Sequence, residues 1–189
     1  SRGCKHTCRH CPVVPVYEGK FRVAPIDVVL DDIEQQVAAG AQHISFGDPD
    51  FLNGPRHAAR IGAAIAARWP GLTWDCVVKV EHLLAHRDML PALREAGLAY
   101  VVSAVESVED AILEVFDKGH TEADFRRVTG LLREVGIGLS PTFVPFGPWT
   151  TLAGYLRLLT TLVELDLHGA VAPVQLVIRL LIPRGSWLM

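Results

Sequence analysis

The feature that most constrains the fold is an alternation of strand-like and helix-like stretches that runs through most of the chain. Residues 26–39 carry apolar side chains at helical intervals, and Gly40 is a fitting stop. His43 to Phe46 reads as a short strand, and Pro55 to Arg68 as an alanine-rich helix closed by Pro70-Gly71. Thr73 to Val80 is β-branched and aromatic, the pattern of a strand, followed by a helix over His86–Glu95 that stops at Gly97. Tyr100 to Val105 is a further strand. Val108 to Phe116 and Thr121 to Val135 are helices, the second opening with Thr121 and Asp124 as a near capping box. Gly138 to Val144 (strand), Thr151 to Leu165 (helix) and Val174 to Ile182 (strand) complete the series.

Strands separated by helices predict βαβ units and a parallel sheet. With five such strands here and another expected just before Ser1, the architecture is an α/β partial (β/α)6 TIM-like barrel lacking its first strand. Sites in such barrels form at the carboxyl ends of the strands. The unusual polar residues fall there: Gly47-Asp48-Pro49-Asp50, Lys79 with Glu81-His82, Glu106-Ser107, and the loop Pro145 to Trp149. A carboxylate such as Glu106, ending an apolar strand, is costly to bury without a partner. Bland roles compete at each position. Asp50 or Asn53 would cap the next helix, Ser107 would cap the helix near Val108, and Lys79 or Arg179 would form barrel salt bridges. His57, His82, His86 and His120 read as polar loop residues, and Cys76 as a small buried one.

Cys4, Cys8 and Cys11 stand at C-x3-C-x2-C spacing within the first eleven residues. Three thiolates are one short of a closed tetrahedral site, and a four-iron cubane held by three cysteines keeps one iron open. A structural zinc site with His6 or His10 as fourth ligand is the competing arrangement. Zinc sites more often pair two knuckles, and no second knuckle follows.

Composition narrows the functional classes. A net charge of -3 without a basic run argues against a nucleic-acid surface. No apolar stretch reaches about 18 residues, so no membrane span is expected. Clustered cysteines with a lone fourth fit a reducing, cytoplasmic protein rather than a disulfide framework. The chain lacks an initiator Met and opens directly on the cysteine loop, so we expect residues 1–189 to be one core domain from a longer protein.

The segment Cys4-Lys5-His6-Thr7-Cys8-Arg9-His10-Cys11, opening a β/α chain, resembles the radical S-adenosylmethionine (SAM) superfamily. The resemblance implies a [4Fe-4S] cluster on the three cysteines, with SAM chelating the open iron. It also implies reductive cleavage of SAM to a 5′-deoxyadenosyl radical that abstracts hydrogen from a substrate, with an electron donor such as flavodoxin or ferredoxin. Gly47-Asp48-Pro49-Asp50 falls where the family binds the SAM ammonium, making Asp48 or Asp50 its acceptor. Glu106, within Ser103 to Ser107, matches a ribose acceptor, and this stretch with Asp117-Lys118-Gly119-His120-Thr121 resembles cobalamin-dependent and methylthio-transferring members. Lys79 and Arg179 are candidate partners of the SAM carboxylate, and the strand around Arg179 takes the position whose backbone contacts adenine. Phe46 to Gly54 and Lys79 to Leu84 are similar to the subgroup with a CUAEP/CCAEP tail. His10 departs from the bulky aromatic usual before the third cysteine. A methylthio-transferring, nucleic-acid-modifying enzyme and a non-catalytic zinc module are the alternative functions.

Overall fold

The computed structural model describes all 189 residues. Its frame is a four-stranded parallel sheet whose strands lie side by side in chain order: β3 (His43–Phe46), β4 (Thr73–Val77), β5 (Leu98–Glu106) and β6 (Gly138–Phe143). Two short antiparallel strands, β1 (Arg2–Gly3) and β2 (Phe21–Arg22), bracket the cysteine loop and the short helix α1 (Val14–Tyr17). Gly3 sits at φ +81°, and a Cβ there would meet the Lys20 carbonyl oxygen at 2.3 Å, so this closure requires glycine.

Helices α2 (Ile26–Ala38), α3 (Pro55–Arg68), α5 (Leu90–Glu95) and α7 (Glu122–Val135) pack in succession over one face of the sheet. The buried partners explain why. Ile44, Trp74, Cys76, Leu98 and Val101 on the strands meet Leu30, Ile33, Ile65, Leu93, Phe125 and Leu132 on the helices. Alternating strand residues supply one layer and a 3.6-residue stripe the other. Helix α7 starts from the expected capping box: Thr121 Oγ1 accepts from the Asp124 N–H, and the Asp124 carboxylate accepts from the Thr121 N–H. Helices α6 (Asp110–Phe116) and α8 (Leu152–Glu164) follow β5 and β6.

Two expectations are corrected. The strand read over Thr73–Val80 ends at Val77, and Val80 instead begins a helix, α4 (Val80–Ala85), inside the loop at the strand's carboxyl end. The strand read over Val174–Ile182 is not formed. Pro173–Leu176 is a 3-10 turn, and only Arg179 pairs with Phe146, in a single parallel bridge. Val174, Val177 and Leu181 are exposed at 58%, 64% and 82%. With no layer above them, an apolar run here has nothing to reward extended pairing. The barrel is partial, as read from the sequence. No helix is long and apolar enough to cross a membrane.

Candidate functional site

The carboxyl ends of β3 to β6 and the cysteine loop converge on one group of side chains. Cys4, Cys8 and Cys11 are all free thiols. Burial, with the neighbouring Cys8 and Cys4, pushes the Cys11 thiol up. The loop is folded by backbone bonds from Cys11 N–H to the Cys8 carbonyl (3.1 Å) and from Val14 N–H to the Cys11 carbonyl (3.3 Å). Arg9 N–H anchors it to the Phe116 carbonyl at the end of α6 (2.9 Å), and Asn53 Oδ1 accepts from the Lys5 N–H (3.4 Å) beside Cys4. Three unpaired thiols carried on one short loop are the donor set of a metal cluster. Neither histidine of the loop is turned to complete a zinc site: His6 contacts His82, and His10 contacts Glu106.

Glu106 is the centre of the array. Its Oε1 lies 3.1 Å from His10 Nε2 and 3.4 Å from Lys118 Nζ. Burial alone would push its carboxyl up, but the His10 hydrogen bond and the Lys118 ammonium outweigh that and hold it below the usual carboxylate range. The backbone at Glu106 is left-handed, φ 69°, where the β5–β6 register slips between Ala104 and Glu106. A left-handed non-glycine at a strand end is a strained placement of the kind that re-aims a side chain. His10 lies against the Phe116 ring, centroids 4.5 Å apart.

Asp48 and Asp50, alike in sequence, part company here. The Asp48 carboxylate lies at the rim and accepts from the Ser1 hydroxyl. Asp50 is fully buried and takes N–H groups from Leu52 (2.9 Å) and Lys79 (3.2 Å), joining the 3-10 turn Phe51–Asn53 to the loop after β4. Gly47 leaves open space beside Asp48: a Cβ at that position would meet nothing within 4 Å. Lys79 Nζ donates to Glu81 Oε2 (3.1 Å). Gly119 permits that arrangement: at φ +73°, a Cβ there would stand 2.6 Å from Glu81 Oε2. Arg179 lies apart, exposed on the bridge to Phe146 and without an ion pair.

Three buried residues were given no site role from the sequence. Lys118 is 3% exposed and reaches Glu106 across a loop. His82 and His120, read as polar loop residues, are buried. Neither ring nitrogen of His120 has a side-chain hydrogen-bond partner, and its polar neighbours are the backbone of Val105 and Lys118. Burial, then the Lys118 and Lys79 charges, lower its pKa to about 4, so the ring is neutral. The signal available was the run Lys118-Gly119-His120, whose meaning depended on where the loop folds.

A radical SAM superfamily profile matches residues 1–153. The chain belongs to the radical SAM superfamily. Members of this superfamily are enzymes that bind a [4Fe-4S] cluster and SAM, and the three free thiols of the loop supply the ligand type that cluster needs. Among curated relatives, a ribosomal protein uS12 methylthiotransferase RimO of Sorangium cellulosum is 30% identical over 71% of this chain and 30% of its own length. An anaerobic magnesium-protoporphyrin IX monomethyl ester cyclase of Cereibacter sphaeroides is 26% identical over 76% of this chain and 24% of its own. In fold, the radical SAM methyltransferase TsrM of Kitasatospora setae, solved with cobalamin and a [4Fe-4S] cluster, aligns with TM-score 0.76 and 20% identity over 87% of this chain and 33% of its own. The cobalamin-dependent SAM radical enzyme OxsB aligns with TM-score 0.74 and 17% identity over 99% of this chain and 33% of its own. The chain thus spans a third or less of the length of these radical SAM proteins.

Proposed function

We propose that residues 1–189 are the radical SAM core of a longer enzyme, in which Cys4, Cys8 and Cys11 hold a [4Fe-4S] cluster with one open iron. The observation that carries this reading is the buried His10–Glu106–Lys118 array standing beside the three unpaired thiols at the carboxyl ends of a parallel sheet. A bound cluster supplies the electron that reductively cleaves SAM and so initiates hydrogen abstraction from the substrate.

The chain's own residues sort by chemistry. Asp48, at the rim beside the open space at Gly47, is the acceptor for the SAM ammonium. Asp50 is the less suited of the pair, because it is wholly buried against His82 and tied to the backbone of Leu52 and Lys79. Glu106, kept ionised by its neighbours, accepts from the ribose hydroxyls. The buried ammonium groups of Lys79 and Lys118 supply the positive field for the SAM carboxylate, a role for which exposed Arg179 is placed less well. The backbone at the Phe146–Arg179 bridge serves the adenine side. The electron donor is a flavodoxin- or ferredoxin-type protein.

Anaerobic iron and sulfide analysis with EPR of the dithionite-reduced full-length protein tests this. About four irons and four sulfides per chain, with a signal that changes on adding SAM, is the expected result. One zinc and no sulfide would sink it. A second reading within the superfamily is methylthio transfer, favoured by the 30% identity to RimO, whose stated target is a ribosomal protein. Transfer of a methylthio group to a protein or RNA acceptor by the full-length enzyme would establish it.

A further inference from the structure

We propose that His6, Asp50 and His82 form a second metal site, for one divalent first-row transition cation, distinct from the three cysteines. One ligating atom from each of the three lies within 4.8 Å of the others. Asp50 is wholly buried and His82 is 3% exposed.

The decisive detail is how His82 meets Asp50. His82 Nδ1 stands 2.8 Å from Asp50 Oδ2. That nitrogen has no hydrogen-bond partner of good geometry, although the Asp50 carboxylate is the group nearest to it. A buried ring nitrogen left this way is costly. Ligands of one cation sit about 2.0–2.2 Å from it, which sets a chelating nitrogen and oxygen roughly 3 Å apart with their lone pairs converging on a shared point. The 2.8 Å spacing of His82 Nδ1 and Asp50 Oδ2 is that of two ligands of one cation.

The surroundings complete the set. His6 Nε2 lies 2.9 Å from His82 Nε2, and a ring nitrogen of His6 falls within the 4.8 Å spread of the three ligands. Glu81 Oε2 faces His6 Nδ1 at 3.6 Å and offers a further oxygen. The Lys79 ammonium is turned onto Glu81, so Asp50 and Glu81 together outweigh it and the pocket can take a dication. Two imidazoles and a carboxylate suit zinc, iron(II), cobalt(II) or manganese(II) rather than calcium or magnesium. The ligands come from the cysteine loop, the β3 loop and α4, so the cation would clamp the loop to the sheet.

The test uses the full-length protein. In the native enzyme, elemental analysis is expected to find about one zinc, cobalt or manganese, or one iron in excess of four, per chain. In a Cys4→Ala/Cys8→Ala/Cys11→Ala variant, free of cluster absorption, one equivalent of cobalt(II) is expected to give visible d–d bands without a thiolate charge-transfer band. The bands should disappear with His82→Ala in the same background. Should His82→Ala not fold, His6→Gln on the loop is expected to weaken cobalt binding at least tenfold. No cation beyond four irons after zinc addition, or cobalt bands that survive His82→Ala or His6→Gln, would overturn the proposal. Iron and sulfide contents report on the cysteine cluster separately, so the two readings fail independently.

Discussion

The two ends of the parallel sheet both carry buried charge, and they treat it differently. At the amino-terminal half, Asp75 on β4 is 6% exposed but fully served: Ser45 Oγ donates to it at 2.5 Å and His43 Nε2 lies at 2.8 Å. His43 Nδ1 in turn meets Thr73 Oγ1 at 2.7 Å, and its ring stacks on Tyr100. At the carboxyl ends, Glu106 is in the left-handed region, neither nitrogen of His120 has a side-chain partner, and the His82 Nδ1 beside Asp50 is unpartnered. The first network closes on itself and needs no ligand. The second leaves buried polar atoms without a side-chain partner, the pattern expected where a site is prepared for a ligand.

Breaking each end separately sharpens this contrast. The largest effect is expected from Cys8→Ala, which should abolish the cluster and bring iron and sulfide to background; a normal cluster spectrum in this variant would remove the basis of the assignment. Next, Glu106→Gln should retain the cluster but weaken SAM binding about 10- to 100-fold, the worth of one charged hydrogen bond, read by titrating the EPR change with SAM. The same titration on Asp75→Asn should be unchanged, while thermal or urea unfolding of that variant shows a loss of about 1–3 kcal/mol.

Acid unfolding tests the buried histidine. The His120 pKa is lowered from 6.5 to about 4 by burial and two lysines, so the folded protein resists protonation there. Its contribution is complete above about pH 6.5 and is lost as pH falls towards 4, by up to about 3 kcal/mol. His120→Phe should flatten the stability profile in that window, and an unchanged slope would contradict the burial. Glu106, with its lowered pKa, adds loss in the same direction at still lower pH. The smallest effect is expected at the surface. Arg126→Ala removes the pairs to Glu122 and Glu164 and should cost less than about 1 kcal/mol in the same unfolding measurement.

Much of the fold was legible in the order of residues. The helices α2, α3 and α7 and the strand His43–Phe46 follow from apolar periodicity and turn residues, since these depend on neighbours a few positions away. The Cys4-Cys8-Cys11 spacing likewise confines three thiols to one loop whatever the rest of the chain does. Helix α4 hid inside an apolar run that strand and helix share, and the run after Val174 failed to pair because no layer covers it.

The site was divided in the same way. Residue type and position at strand ends pointed to Asp48, Asp50, Lys79 and Glu106, because carboxylates and amines there interrupt otherwise apolar stretches. Only the tertiary structure separated Asp48 at the rim from buried Asp50, brought Lys118 and His10 onto one carboxylate, and set His82 against Asp50. Each of these depends on partners up to 96 positions apart and on how much water the packed loops exclude. Local periodicity carries neither quantity, and both decide whether a charged group is a cap, a salt bridge or a ligand.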